Sequence, residues 1–260
     1  MSPVSSGAGD LLVADPEPAA VAVQVAPQEY ARLLGMPRSR PLEGPLAQRA
    51  EGARAWYATH ARPAVVARRL AVDRVGAGHV VVGPGVSLAS ATLAARFRNG
   101  DARAMMVVAV TAGPEVDEEV DRLWSAGLPD EAYFLDRFGA VVAETLVRWA
   151  MVWTCRRSEP QRETVLPHLS PGCGDWGFDD QRRLMKLVGG GEAAVGPLSM
   201  MDSGMLRPKN SLLAAFGVTR GTVRPSPADA CVECDRVPCS FRRVAPRRQV
   251  RAPIAPGSAW

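Results

Sequence analysis

Lysine is almost absent from this 260-residue sequence, in which arginine outnumbers it 29 to 2. Together with abundant alanine, glycine and proline, this bias is typical of a GC-rich coding sequence. The choice of arginine instead of lysine at a given position is therefore not interpreted as functional. With 47% hydrophobic and 22% charged residues, the chain is long and apolar enough to bury one large core or two small ones.

Cysteine is also scarce, and its five residues are unevenly clustered. An odd, clustered set argues against a disulfide framework and favours a reducing cytoplasm. The N-terminus has no basic segment before an apolar stretch, so we expect no signal peptide. No uninterrupted apolar run reaches the roughly 20 residues of a transmembrane helix, so we expect a cytoplasmic protein without membrane contact.

An excess of basic charge is missing from most of the chain. The formal net charge is +4, and residues 231–260 alone carry +4, from six arginines against Glu233 and Asp235. The rest of the chain therefore sums to zero. This distribution argues against a general nucleic-acid-binding surface, and we expect the C-terminal arginines to be solvated rather than bound to nucleic acid.

The apolar periodicity mixes strands and helices without a regular repeat, which predicts an α+β fold rather than a doubly wound α/β fold. We divide the chain into a flexible or loosely docked extension, a folded domain and a basic tail, at residues 1–26, 27–224 and 225–260. Within the domain we expect the following elements: helices over 45–75, 87–97, 115–126 and 132–153, buried strands over 80–82 and 103–113, and a loop over 155–167.

The stretch "HLSPGCGDWGFDDQ" at residues 168–181 concentrates glycine and proline just before a helical pattern. Such a segment either only turns the chain or holds an anion or polar ligand at the helix N-terminus. We interpret its three aspartates as turn and helix-capping residues rather than as paired catalytic carboxylates. Met200, Met201 and Met205 further on are interpreted as core residues, with the wall of a flat hydrophobic ligand as the alternative.

Several stretches, taken in order, resemble the activation domain of cobalamin-dependent methionine synthase in a short, stand-alone form. The resemblance covers residues 28–218, and its most specific piece is the Ser-Pro-Gly-x-Gly-Asp turn at residues 170–175. The stretches that carry it are "LLGMPRSRP", "MVVAVTAGPEVDEEVDRLWSAG", "LDRFGAVVAETL", "HLSPGCGDWGFDDQRRL" and "MMDSGMLRPKNSLLAAFGV".

This resemblance implies a C-shaped α+β domain with a twisted antiparallel sheet and flanking helices. It also implies that S-adenosylmethionine binds in an extended groove and that the domain assists reductive methylation, and so reactivation, of a corrinoid. An electron donor protein would supply the electron. If the chain is an enzyme at all, the resemblance makes it a methyltransferase component linked to methionine synthesis.

The resemblance also assigns candidate ligand-binding residues. Those in the turn are His168, Ser170, Pro171, Gly172 and Cys173, and Glu144 is carried over from the long helix. Backbone groups of Ser170 and Gly172 would bind the ligand. The family has an arginine at position 168 and a tyrosine at position 173, and neutral histidine cannot replace a bidentate guanidinium. Ligand binding is then weakened or lost, or another base such as Arg156 or Arg162 compensates.

No Asp-x-His-x-x-Gly cobalamin-ligand motif is present in the sequence. The corrinoid is therefore expected on a separate protein. That partner is either a corrinoid-binding protein or a methionine synthase that lacks its activation region.

Cys231, Cys234 and Cys239 form a C-x2-C-x4-C cluster near the C-terminus. This spacing allows three thiolates to share one metal ion, as zinc or in an iron–sulfur cluster, with Cys173, His168, Cys155 or an exogenous group as the fourth ligand. An incidental group of reduced cysteines is the alternative. The cluster supports a second functional hypothesis, a non-catalytic metal-binding interaction or electron-transfer module that has lost the S-adenosylmethionine site.

Overall fold

The computed structural model describes residues 11–36, 41–83, 85–192 and 194–221. Within these ranges the strands are β1 (Leu11–Ala14), β2 (Ala64–Val75), β3 (His79–Val82), β4 (Val86–Ala89), β5 (Ala104–Thr111), β6 (Glu163–Val165), β7 (Ala194–Val195), β8 (Leu198–Met200), β9 (Leu206–Arg207) and β10 (Ser211–Arg220). The α-helices are α1 (Pro18–Gln24), α2 (Pro27–Leu33), α3 (Gly44–His60), α4 (Ala91–Asn99), α5 (Pro114–Ser125), α6 (Pro129–Ser158) and α7 (Asp180–Gly189), and a 3-10 turn covers Glu159–Gln161.

A curled antiparallel sheet of seven strands lies at the centre, in the order β4-β3-β2-β5-β10-β6, with β1 paired to β2. All eight residues of β5 are buried, because the strand has layers on both faces. Met106, Val108 and Val110 pack into the core on one side, and Met105 and Val107 pack into the core on the other. A strand covered on both faces reads as an unbroken apolar run, which explains why the sequence revealed β5.

The first core lies between the sheet and a layer formed by α1, α2, α3, α5 and α6. Helix α6 crosses this layer, and the Tyr30 hydroxyl of α2 donates a hydrogen bond of 2.7 Å to the Phe134 carbonyl of α6. The second core lies on the other face, under α4, α7 and the small β7-β8-β9 sheet. The α+β class that the sequence predicts is confirmed.

The predicted flexible extension over residues 1–26 is wrong for the part that the structure describes. Strand β1 pairs with β2, and Leu12, Val21 and Val25 are at most 3% exposed. The alanines and valines of α1 are small and pack beside α3. Packing therefore orders a stretch that has no apolar helical stripe of its own. The remainder of this stretch lies outside the described residues.

Two helix predictions also fail. Residues 64–75 form β2 instead of a helix, because pairing with both β1 and β5 buries Val65 and Val66 on opposite faces. The helix predicted from residue 87 begins at Ala91, after β4. The Ser90 hydroxyl caps it by accepting a 3.0 Å hydrogen bond from the Leu93 amide.

The loop predicted over residues 155–167 is partly structured: it contains the end of α6 up to Ser158, the 3-10 turn Glu159–Gln161 and strand β6. With its 3-10 turn this helix has the length and composition of a membrane span, at a mean hydropathy of 1.2 over its most apolar window. However, 56% of that window is buried against the rest of the chain. A core helix explains the same composition.

Candidate functional site

An extended segment carries the candidate ligand-binding turn along the edge of the sheet. Strand β6 pairs with β10, and beyond it the Leu166 amide donates to the Gly217 carbonyl at 2.9 Å. Leu169 then exchanges two hydrogen bonds with Ala215, of 2.9 and 2.8 Å. These bonds hold the chain against the sheet up to Leu169, so the residues that follow leave the sheet from a defined point.

The next four residues form a tight turn. The Cys173 amide donates a 3.0 Å hydrogen bond to the Ser170 carbonyl, and Gly172 has a φ of 91°. Proline at the second position, glycine at positive φ at the third and this hydrogen bond are the features of a type II turn. A side-chain Cβ at Gly172 would lie 2.6 Å from the Phe178 ring. Glycine is therefore required both by the backbone conformation and by the aromatic ring beside it.

The acidic residues after the turn hold it in place. Asp175 accepts hydrogen bonds from the Ser90 hydroxyl at 2.9 Å and from the Thr92 amide at 3.1 Å, and so caps α4. Partial burial opposes ionisation of Asp175, but its hydrogen bonds to Thr92, Ser90 and the Ala91 backbone outweigh this, and its pKa lies below the usual value. The interpretation of Asp175 as a capping residue agrees with this geometry, although the helix it caps is a different one.

Asp180 is the second anchor, and it is only 2% exposed. Its Oδ2 accepts from the Trp176 indole at 2.9 Å and from the Ala89 amide at 2.7 Å. Because Trp176 is itself fully buried, these bonds tie α7 and the turn to the end of β4. A carboxyl group so enclosed requires hydrogen-bond partners such as these.

The structure brings two of the predicted ligand residues together. Nε2 of His168 lies 3.9 Å from Oε2 of Glu144 on α6, and the two side chains are 13% and 16% exposed. Leu169, the next residue, faces the second core instead. The edge segment therefore directs neighbouring side chains to opposite faces of the sheet, and that is how a residue of the long helix meets the turn.

Arg96 is a functional candidate that the sequence analysis missed. Its Nη1 donates to the carbonyls of Pro167 and His168, at 3.2 and 3.3 Å. The residue is only 9% exposed, although it lies on a helix face with Leu93 and Phe97. An arginine on the apolar face of a short helix was the available signal. Arg96 therefore contacts the backbone just before the turn, and it is a further candidate beside Arg156 and Arg162 for the base near the ligand.

The polar groups of the turn are not equally available for a ligand. The Gly172 amide donates to the Trp176 carbonyl at 2.7 Å, and the Ser170 carbonyl already accepts from Cys173. The Ser170 hydroxyl, by contrast, is fully buried and has no hydrogen-bond partner among the described residues. A buried polar group without a partner is costly. The hydroxyl of Ser170, rather than the backbone of Gly172, is thus the group that a ligand would satisfy.

Exposed apolar side chains surround the same region. Phe178 is 67% exposed, and Met201 and Met205 are 39% and 61% exposed, while Met200 packs partly into the second core. Gln181 Nε2 donates to the Gly204 carbonyl at 2.7 Å, so α7 holds the loop that carries Met201 and Met205. The interpretation of Met201 and Met205 as core residues is wrong.

The predicted metal ligands Cys231, Cys234 and Cys239 lie outside the described residues. Within the described ranges, no three histidine, cysteine or acidic side chains lie close enough together to hold a metal ion. Cys155 and Cys173 are both half-buried thiols that form no disulfide, and Cys155 Sγ lies 3.8 Å from the Thr164 hydroxyl. The metal centre stays a prediction.

The comparisons with known proteins give one kind of match. No protein-family model matches the chain, and neither does any curated protein sequence. Among solved structures, the chain is similar to the MetH reactivation domain bound to AdoHcy, with a TM-score of 0.60 and 11% sequence identity. The match covers 84% of this chain and 81% of that domain. At this identity the likeness shows the fold: the chain has the fold of a methionine synthase reactivation domain.

Proposed function

We propose that the protein binds S-adenosylmethionine beside the 170–173 turn and assists the reductive methylation of a corrinoid. The observation that carries this proposal is the buried Ser170 hydroxyl, which has no hydrogen-bond partner among the residues that the structure describes and lies in a turn next to the His168–Glu144 pair. The fold supports it, because the similar MetH reactivation domain was solved with AdoHcy, which is S-adenosylmethionine without its methyl group.

The residues fit such a ligand in part. The Ser170 hydroxyl can donate to an adenine or carboxylate acceptor, and the Glu144 carboxylate can accept from the amino group of the ligand. In this proposal His168 takes the place of the arginine that would contact the ligand carboxylate, but a single imidazole N–H offers fewer donors than a guanidinium. We therefore expect weaker binding than a site with arginine at this position would give. Pro171 and Gly172 set the shape of the turn, and Cys173 closes it through its backbone amide.

The corrinoid belongs to a partner protein in this proposal, and the chemistry belongs to its cobalt and to the sulfonium of the ligand. This chain would hold the methyl donor in position. The partner is a corrinoid-binding protein or a methionine synthase without its own activation region, and a separate protein donates the electron. The chain would act in the cytoplasm as a stand-alone methyltransferase component.

A second candidate function rests on the contact between Glu144 and His168. If this pair satisfies itself rather than a ligand, the protein retains the fold without the methyl donor. It would then be a metal-binding interaction or electron-transfer module, with zinc or an iron–sulfur cluster on Cys231, Cys234 and Cys239.

Calorimetric titration of the full chain with S-adenosylmethionine and with AdoHcy separates the two functions. We expect saturable binding of one ligand per chain, weakened about tenfold by Ser170→Ala, which removes one hydrogen bond to a charged or polar ligand group. Ser125→Ala is the matched control, because that exposed hydroxyl already donates to the Asp121 carbonyl on α5. Absence of binding at millimolar ligand would exclude the methyl-donor role. Metal analysis of anaerobically purified protein then tests the alternative.

A further inference from the structure

A groove of about 600 Å³ opens between three helices of the first layer. It is formed by α3, α5 and α6. The residues that line it include Arg49, Trp56, Glu119, Leu123, Glu131 and Leu135. The groove lies in the helical layer of the first core. The residues around the turn and in α7, such as Leu169, Trp176 and Leu184, belong to the second core. It is therefore distinct from the candidate ligand site.

The lining combines apolar walls with carboxylates. Leu123 and Leu135 are buried at its base, and the Trp56 indole stacks on His60 with ring centroids 5.1 Å apart. Glu119 and Glu131 both line the cavity. This pairing of an indole with carboxylates suits a side chain that has an alkyl stem and a cationic head.

The charges around the groove favour a cation. Arg49 pairs with Asp130 at 3.0 Å and with Glu131 at 3.6 Å, and Arg122 pairs with Glu119 at 2.6 Å. These three carboxylates and two guanidinium groups sum to −1. Helix α5 as a whole has five acidic residues against one arginine, and so extends the negative surface. A basic partner would therefore be attracted before contact.

Exposed apolar side chains follow the same helices. Trp124 at the end of α5 is 57% exposed, and Leu128 and Tyr133 at the start of α6 are 41% and 42% exposed. Exposed tryptophan and tyrosine are typical of protein interfaces, because they offer a large apolar area with a polar edge. A groove, a negative surface and exposed aromatic residues thus belong to the same group of helices.

We propose that this groove is the docking site for a basic segment of a partner protein, with one arginine or lysine side chain inserted into it. The alkyl stem packs on Leu123 and Leu135, and the cationic head lies between Trp56 and the carboxylates of Glu119 and Glu131. This inference does not depend on the proposed function, since it uses none of the residues near the 170–173 turn.

Fluorescence anisotropy of a labelled tetra-arginine amide, titrated with the full chain, tests the proposal. We expect saturable binding that Glu119→Gln together with Glu131→Gln weakens about fivefold or more. The matched control is Glu118→Gln with Asp121→Asn, which removes the same charge from exposed positions of α5 outside the groove. This control should change the affinity less than about twofold.

A second variant blocks the groove without changing any charge. Among the described residues, no atom lies within 4 Å of a Cβ at Gly52, which lines the groove, and leucine is favourable in the helical backbone there. Gly52→Leu should therefore keep the fold, as a thermal melt would show, and weaken tetra-arginine binding about as much as the double glutamine variant. Equal weakening by the control pair, unchanged binding by Gly52→Leu, or no saturable binding would overturn the proposal. A dimer in solution that Gly52→Leu dissociates would assign the groove to a second copy and would overturn it as well.

Discussion

The Glu144 carboxylate on α6 lies 3.9 Å from Nε2 of His168, two residues before the turn that the sequence marks as the candidate ligand site. The two residues are 24 positions apart and belong to a helix and an edge segment. Both side chains are more than four-fifths buried, so solvent screens the Glu144 carboxylate poorly.

Replacement of His168 by arginine tests the role of the pair directly. A guanidinium is always charged and donates two parallel hydrogen bonds to a carboxylate, so His168→Arg should raise the affinity for S-adenosylmethionine and AdoHcy about tenfold. Calorimetric titration near neutral pH measures this. His60→Arg, at an exposed position at the end of α3, should leave the affinity unchanged. Equal or lower affinity for His168→Arg would show that His168 does not face the ligand carboxylate.

A side chain at Gly172 should destabilise the folded protein. Both the positive φ and the Phe178 ring oppose one, and we expect Gly172→Ala to lower the free energy of unfolding by about 1–3 kcal/mol. Gly177→Ala is the matched control, since a Cβ there has no atom within 4 Å. Urea unfolding measures both. In a Phe178→Ala background, Gly172→Ala should lose the contribution from the clash with the ring and keep the contribution from the positive φ. If the loss of unfolding free energy is undiminished in that background, the Phe178 ring is not a source of the strain.

The buried Asp180 depends on the Trp176 indole for one of its hydrogen bonds. Trp176→Phe keeps most of the ring volume but removes the donor, and should cost about 1.5–3 kcal/mol, as for other hydrogen bonds to charged groups. Trp124→Phe, at a 57% exposed position, should change stability by less than about 0.5 kcal/mol. Thermal unfolding of both variants is the measurement. A small effect at Trp176 would mean that the Ala89 amide and the Arg183 guanidinium satisfy Asp180 without the indole.

Acid should weaken the cap that Asp175 provides to α4. Because the folded-state pKa of Asp175 is lowered, its stabilisation is complete above the unfolded value of about 3.9 and is lost as the pH falls through the folded pKa. Asp175→Asn should therefore cost about 1 kcal/mol near neutral pH and progressively less below about pH 4. Urea unfolding at several pH values measures this difference. Asp179→Asn is the control, since that residue makes no capping hydrogen bond, and a pH-independent gap would exclude charge as the cause.

The apolar periodicity of the sequence predicted those helices and strands that bury one continuous apolar stripe or run of their own residues. Strand β5 and helices α5, α6 and α7 were visible because their own residues are apolar at the period of the element. Strand β2 was not, because Val65 and Val66 are equally compatible with a helix until β1 and β5 pair on either side. The prediction for residues 11–26 was wrong for the same reason. The small side chains of this stretch are buried only by residues that are distant in sequence.

At the candidate site, the local chemistry of Ser170, Pro171 and Gly172 determined the turn, because proline followed by glycine restricts the backbone to few conformations. The sequence by itself therefore determined where the chain turns. Only the tertiary structure decided what surrounds that turn. It brings Glu144 to His168 and places Arg96 on the backbone before the turn and Phe178 beside Gly172. Within the described part of the chain, it leaves the Ser170 hydroxyl without a partner. These relations join α4, α6 and the edge of the sheet, and such contacts depend on the packing of whole elements rather than on local preference.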